Sequence, residues 1–213
     1  MTAAEVEKKI KALRVVAVLT LDSVEAALPL ADALLEGGIE AIELTLRTPQ
    51  ALDCIRVIAK ERPAMLVGAG TVLTPLQLEQ VIAAGASFAV SPGMNHAVSD
   101  AAAAAGFPYF PGVMTPTDIE AALAKGHRLM KFFPAETAGG IPMLKALAAP
   151  YAPAGVSFLP LGGVNIENAK AYLNLPTTAA IGGSWLAPPD LIKNGKFDEI
   201  RQRAAACRTL IDA

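Results

Sequence analysis

The chain has 213 residues, a formal net charge of −2, 53% hydrophobic residues and 18% charged ones. That composition excludes a disordered segment, and without a basic surplus it argues against a general nucleic-acid binder. A mass of 22.0 kDa and a pI near 5.7 fit one domain, residues 1–213, whose core is large enough to stand without disulfides.

Residues 2–13 predict an amphipathic helix ahead of the first strand. Lys8, Lys9, Lys11 and Arg14 precede the apolar run 15–19, which faintly resembles a signal peptide. Glu5 and Glu7 interrupt the basic residues, however, and Asp22 follows with no small-residue cleavage pattern. From there short β-branched runs at 15–19, 39–44, 65–68, 88–91, 109–111, 129–133, 157–160 and 179–181 alternate with alanine- and leucine-rich stretches of helical period. Their spacing is mostly about 20–26 residues, the length of a strand, a helix and two tight loops. Helices are expected at 24–35, with Ser23 as N-cap, and at 49–60, 75–84, 97–105 and 117–124. Thr74-Pro75 and Thr115-Pro116 put proline into a first turn, and Gly37-Gly38, Gly85, Gly106 and Gly126 close helices. Residues 190–213 supply the last helices.

The runs are nearly continuous in apolar character, as parallel strands covered on both faces should be. Eight of them with intervening crossovers predict an α/β fold, a single (β/α)8 TIM barrel with an extra N-terminal helix closing its bottom. An open doubly wound sheet is the alternative, but Thr20-Leu21-Asp22 stands where its glycine fingerprint belongs. The longest uncharged stretch, 81–99, is broken by Gly85, Pro92 and Gly93, so no membrane span is expected and the chain reads as cytoplasmic. Cys54 and Cys207 read as core or helix residues in a reducing compartment. His96 and His127 are not at metal-ligand spacing, so no His-built metal centre is expected, while that spacing leaves an oxygen-ligated Mg²⁺ open. No cofactor is expected, and neither histidine is assigned a role.

In a parallel barrel, chemistry collects at the C-terminal ends of strands. Two groups there should be penalised by burial: Glu43 in Ile42-Glu43-Leu44-Thr45 and Lys131 in Met130-Lys131-Phe132-Phe133. One reading is a structural ion pair inside the barrel mouth. The other is a Schiff-base lysine with a carboxylate that shuttles protons, because apolar neighbours favour the uncharged, nucleophilic amine. The two readings are not exclusive, since a buried pair can be the resting form of the catalytic one. A carboxylate in static contact would oppose the neutral amine, so Glu43 is expected to act at a distance or through water. Pro160-Leu161-Gly162-Gly163 and Ile181-Gly182-Gly183-Ser184 follow the seventh and eighth strands, where barrels bind phosphate. A short helix after Ser184 would aim its positive end at the same anion. One such pair of glycines is ordinary turn chemistry; two at these loops favour a phosphate. Arg47 is either a surface arginine or a fork for a carboxylate. Gly68-Ala69-Gly70-Thr71 is expected to be a flexible turn that brings the Thr71 hydroxyl to an anionic substrate.

Together these residues resemble the class I aldolases acting on 2-keto-3-deoxy-6-phosphogluconate (KDPG) and 4-hydroxy-2-oxoglutarate (KHG). The matching segments run in order through Glu43-Leu44-Thr45-Leu46-Arg47-Thr48, Val67-Gly68-Ala69-Gly70-Thr71-Val72, Ser91-Pro92-Gly93, Lys131-Phe132-Phe133-Pro134-Ala135-Glu136 and Ile181-Gly182-Gly183-Ser184-Trp185-Leu186. The resemblance implies Lys131 as Schiff-base lysine and Glu43 as general acid/base. It implies Arg47 and Thr71 as holders of the pyruvyl carboxylate, and Pro92 and Phe133 as pocket walls. Gly162, Gly163, Gly183 and Ser184 would cradle the phosphate, and the assembly would be a homotrimer. One departure stands out: the family's Pro-Thr-Gly-Gly is Pro160-Leu161-Gly162-Gly163 here, as in related aldolases of the galactonate epimer. The expected activity is cleavage of KDPG or its epimer to pyruvate and glyceraldehyde 3-phosphate, with KHG cleavage to pyruvate and glyoxylate as a further possibility. A phosphosugar isomerase or epimerase and a non-catalytic phosphosugar-binding barrel are the competing readings.

Overall fold

A computed structural model describes residues 1–212. The strands among them are β1 (Val15–Leu19), β2 (Ala41–Thr45), β3 (Leu66–Gly70), β4 (Phe88–Val90), β5 (Tyr109–Phe110), β6 (Gly112–Val113), β7 (Leu129–Phe132), β8 (Ser157–Pro160) and β9 (Ile181–Gly183). The helices are α1 (Ala3–Leu13), α2 (Ala27–Glu36), α3 (Ala51–Glu61), α4 (Pro75–Ala83), α5 (His96–Ala104), α6 (Pro116–Ala124), α7 (Gly140–Tyr151), α8 (Ala169–Leu173), α9 (Pro189–Lys193) and α10 (Phe197–Asp212). Residue 213, the last of the expected terminal helix, lies outside the described residues.

All strand pairs are parallel, in a six-stranded sheet ordered β5-β4-β3-β2-β1-β9 and a three-stranded sheet ordered β6-β7-β8. The expected fifth strand is thus two short pieces. Proline has no N–H to give a ladder, and Pro111 interrupts the run while its carbonyl still accepts from the Lys131 N–H at 2.8 Å. On the other side, single parallel bridges run from Phe158 to Thr178 and from Leu161 to Gly182.

Side-chain alternation sorts each strand between two cores. Along β1, Val15, Ala17 and Leu19 join the large cluster shared with the helices, while Val16 and Val18 face a smaller one. That inner cluster also holds Ala41, Leu66, Phe88, Phe110, Leu129 and Leu159, and α1 closes it with the fully buried Val6 and Ile10. No described helix is long and apolar enough to cross a membrane.

Capping chemistry follows the expected pattern at two helices. Thr74 and Thr115 each form a capping box ahead of a proline, opening α4 and α6. Gly38, Gly85, Gly106 and Gly126 all have φ between 61° and 88°, which only glycine adopts without a penalty. Ser23 does not cap α2. The helix starts after Ala26; the Ser23 hydroxyl accepts from the Ala26 N–H at 3.4 Å and donates to Glu25 at 2.7 Å, so it caps the turn that leads into the helix.

Candidate active site

Alternation along β2 sets Glu43 on the face of Ala41, and along β7 it sets Lys131 on the face of Leu129. Both therefore turn into the inner core. Glu43 is fully buried and Lys131 is 5% exposed, and Lys131 Nζ donates to Glu43 Oε1 at 2.9 Å. The two groups touch, as a buried pair that is the resting form of a catalytic one would, and the stand-off expected of a working general base is not the geometry seen. Neighbouring glycines leave them the room, since Glu43 is in register with Gly68, Thr45 with Gly70, and Lys131 with Gly112. A Cβ on Gly70 would fall 2.1 Å from Glu43 Oε1, and one on Gly68 would fall 2.1 Å from the Phe88 ring. Gly68-Ala69-Gly70 is consequently not a turn but the body of β3, thinned where a carboxylate and a phenyl ring come in from its neighbours. Glu43 Oε2 has no hydrogen-bond partner among the described residues. The Phe133 ring centroid lies 5.3 Å from Lys131 Nζ.

A cavity of about 600 Å³ borders this pair. Of the candidates read from the sequence, Glu43, Lys131, Arg47, Phe133, Gly162, Gly163, Gly183 and Ser184 all line it. Arg47 is exposed and has no ion-pair partner among the described residues. Thr71 and Pro92 are outside the lining. Thr71 follows β3 with φ 61°, a left-handed conformation that costs a β-branched residue about 1–3 kcal/mol. Pro92 follows β4, and its carbonyl oxygen is 2.2 Å from where a Cβ on Gly112 would be.

The glycine loops differ from one another. Gly162 and Gly163 have φ of 94° and 84°. The carbonyls of Leu161, Gly162 and Gly163 accept from Ala135 N–H, Glu136 N–H and Asn168 Nδ2 at 2.7, 2.9 and 3.2 Å. The Gly162 N–H faces β9 in the bridge that pairs Leu161 with Gly182, whereas the N–H of Gly163 has no acceptor among the described residues. Gly182 and Gly183, by contrast, belong to β9, and Ser184 opens a turn closed by Ala187 N–H onto its carbonyl, so the expected short helix comes only at Pro189–Lys193, with Pro188 and Pro189 at the cavity wall. A Cβ on Gly182 would lie 2.8 Å from Leu161 Cγ, so strand contact explains that glycine.

Thr20, Thr45, Asn165 and Trp185 also line the cavity and were missed in the sequence reading. The Thr20 and Thr45 hydroxyls are 2.7 Å apart. The period of two puts Thr45 on the face of Glu43 and Thr20 on the face of Val18, but without the cavity that placement does not set them apart from any strand-end threonine. His96 is exposed, while His127 Nε2 is 2.7 Å from Ser99 Oγ, away from the cavity, and burial lowers its pKa. Among the described residues no group of three or more His, Cys, Asp or Glu is arranged to hold a metal ion.

The sequence model of the KDPG and KHG aldolase family matches residues 6–203. The chain belongs to this aldolase family. The KHG/KDPG aldolase of Escherichia coli strain K12 is 44% identical over 190 residues, covering 89% of this chain and 88% of that one. The 2-dehydro-3-deoxy-phosphogluconate aldolase of Dickeya dadantii strain 3937 is 44% identical over 186 residues, covering 87% and 86%. Among solved aldolases, the KDPG aldolase of Legionella pneumophila, with pyruvate captured as a covalent carbinolamine intermediate, superposes with a TM-score of 0.90. It is 42% identical and covers 94% of this chain and 97% of its own.

Proposed function

We propose that this aldolase works by a Schiff base on Lys131, with Glu43 moving the protons, and cleaves a 2-keto-3-deoxy-6-phosphosugar acid to pyruvate and glyceraldehyde 3-phosphate. The observation that carries the reading is the 2.9 Å contact of a buried amine and a buried carboxylate at the wall of the cavity. Glu43 takes a proton from the Lys131 ammonium, and the freed amine adds to the ketone carbon C2. Glu43 returns a proton to the carbinolamine oxygen, which leaves as water and yields an iminium. The carboxylate then removes the proton of the C4 hydroxyl. The C3–C4 bond breaks, its electrons pass to the iminium nitrogen to form an enamine, and the C4 fragment departs as an aldehyde. Protonation at C3 and addition of water release pyruvate and restore the lysine. The iminium is the electron sink, the role a Lewis-acid metal fills in other aldolases.

Arg47 would hold the substrate carboxylate at the open side, and Phe133 would wall the amine from solvent. The free amide of Gly163, with the backbone of Gly162, Gly183 and Ser184 around it, would receive the phosphate. Thr71 and Pro92 would act from just outside the cavity, as a rim that a bound substrate reaches. Leu161 offers no hydroxyl to the aldehyde half, which supports use of the galactonate epimer beside KDPG. KHG, smaller and unphosphorylated, would use the same lysine. The two sheets are read as one closed (β/α)8 barrel with α1 as its floor, supported by the Leu161–Gly182 bridge and the run of β5 into β6. The assembly is read as a homotrimer, and two free, buried cysteines suit a cytoplasmic setting.

Borohydride reduction in the presence of pyruvate tests the core of the proposal. A stable adduct is expected on the peptide that contains Lys131. An adduct on another lysine rejects Lys131 as the nucleophile while keeping the Schiff-base chemistry, and no adduct at all leaves the isomerase and binding-barrel readings, neither of which forms one.

A further inference from the structure

The glycine loop after β8 rests on the loop after β7 through main-chain bonds: Ala135 N–H donates to Leu161 O and Glu136 N–H to Gly162 O. Gly163 sits directly over the stem of Glu136, so that a Cβ there would be 2.6 Å from both Glu136 Cβ and Cγ. The stem is therefore the floor on which Gly163 lies. Its far end is tied down as well, because the Tyr172 hydroxyl donates to Glu136 Oε1. Tyr172 is fully buried in α8, and burial first, then the neighbouring Glu136, pushes its pKa up, so the phenol keeps the proton it donates. One turn earlier on the same segment, Asn168 holds the loop's other side, with Nδ2 on Gly163 O at 3.2 Å and Oδ1 on Asn165 N–H at 2.8 Å.

We infer that Tyr172, acting through Glu136, is a positioning residue for the phosphate end of the substrate. By anchoring the carboxylate it keeps the stem flat under Gly163, so the unpaired amide of Gly163 stays at the cavity wall. It also holds a negative charge down and away from the anion that amide receives. Without the tether the stem is free to rotate upward, lifting Gly163 and bringing its carboxylate toward the phosphate. The inference rests on the phosphate-binding reading above and adds the residue that makes the loop's geometry durable.

The test compares Tyr172→Phe, which keeps the ring, with Glu136→Gln, which keeps an acceptor for the phenol. For Tyr172→Phe, KM for KDPG is expected to rise about fivefold or more, with kcat and KM for unphosphorylated KHG within about twofold of the parent. Competitive inhibition by inorganic phosphate should weaken by a similar factor, while borohydride trapping of pyruvate is unchanged. Glu136→Gln should leave KM for KDPG within about twofold of the parent or lower it. A change common to both substrates, no change in either, or a loss in Glu136→Gln equal to that in Tyr172→Phe overturns the inference. The underlying readings fail differently: an unmodified enzyme that forms no adduct is not this aldolase, and one that phosphate does not inhibit lacks the anion site, which takes the tether's role with it. If phosphate inhibits the parent and Tyr172→Phe equally, only the tether is wrong.

Discussion

Lys131 and Glu43 leave water at a cost of several kcal/mol each, and what they receive in return is one 2.9 Å hydrogen bond, with Glu43 Oε2 left unmatched. Well-packed apolar residues at both positions would serve folding at least as well, so the pair is explained by chemistry rather than by stability. That separates two effects which a single substitution confounds. Lys131→Met strands a buried carboxylate and is expected to lower stability by about 3–5 kcal/mol in urea unfolding. Adding Glu43→Gln to it removes the stranded charge and should restore most of that loss. Neither variant should turn over substrate. A double variant no more stable than the single one would show that the uncompensated carboxylate is not the source of the loss. These two residues were legible from the sequence because a charge inside an apolar run is conspicuous. The hydroxyls of Thr20 and Thr45 were not, since a β-branched residue at a strand end is ordinary β chemistry and only the cavity gives it meaning.

At the scale of elements, β3 shows what a local reading cannot see. Gly68-Ala69-Gly70 has the composition of a turn, yet it is a strand because Phe88 and Glu43, carried by the strands on either side, occupy the space where side chains would be. Gly70→Ala places a methyl group 2.1 Å from the present site of Glu43 Oε1, so the carboxylate must move while the strand's own backbone remains acceptable to alanine. A displacement of about 1 Å costs a catalytic group on the order of 10²-fold, and kcat is expected to fall by that amount with the far-ultraviolet circular dichroism unchanged. Retention of full kcat would mean that Glu43 need not touch Lys131 during turnover. The elements that were read correctly have local causes. The span 15–19 is apolar from end to end, Thr74-Pro75 and Thr115-Pro116 carry their own caps, and the left-handed glycines close their own helices. The split of the fifth strand has a distant cause, since Pro111 divides it according to what its neighbours bond; the late start of α2 is local, a turn over Ser23 and Glu25 ahead of the helix.

At the scale of the whole molecule, the apolar surface left outside both cores bears on assembly. Leu73, Leu76 and Met114 are 46%, 62% and 41% exposed; the first two follow β3 and Met114 follows β6. Single exposed apolar residues need no explanation, but each of these leaves unrealised part of the roughly 1.5–3 kcal/mol that full burial of such a side chain contributes. Their place is also informative, because Leu73 comes two residues after Thr71, and Met114 two after Gly112, which packs on Pro92. Thr71 and Pro92 are the two candidates outside the cavity lining, so a neighbouring subunit seated on Leu73, Leu76 and Met114 would press on the same rim and brace it. The proposed homotrimer then has a definite consequence. Light scattering at micromolar concentration should give three times the 22.0 kDa chain mass, and Leu76→Glu, which buries a charge in the contact, should return the single-chain mass. Activity should fall with the mass, because the rim loses its brace even though Leu76 is outside the cavity lining. A parent protein that scatters as one chain rejects the trimer. A Leu76→Glu variant that stays trimeric with full activity puts the contact elsewhere and leaves Thr71 and Pro92 held by their own subunit alone.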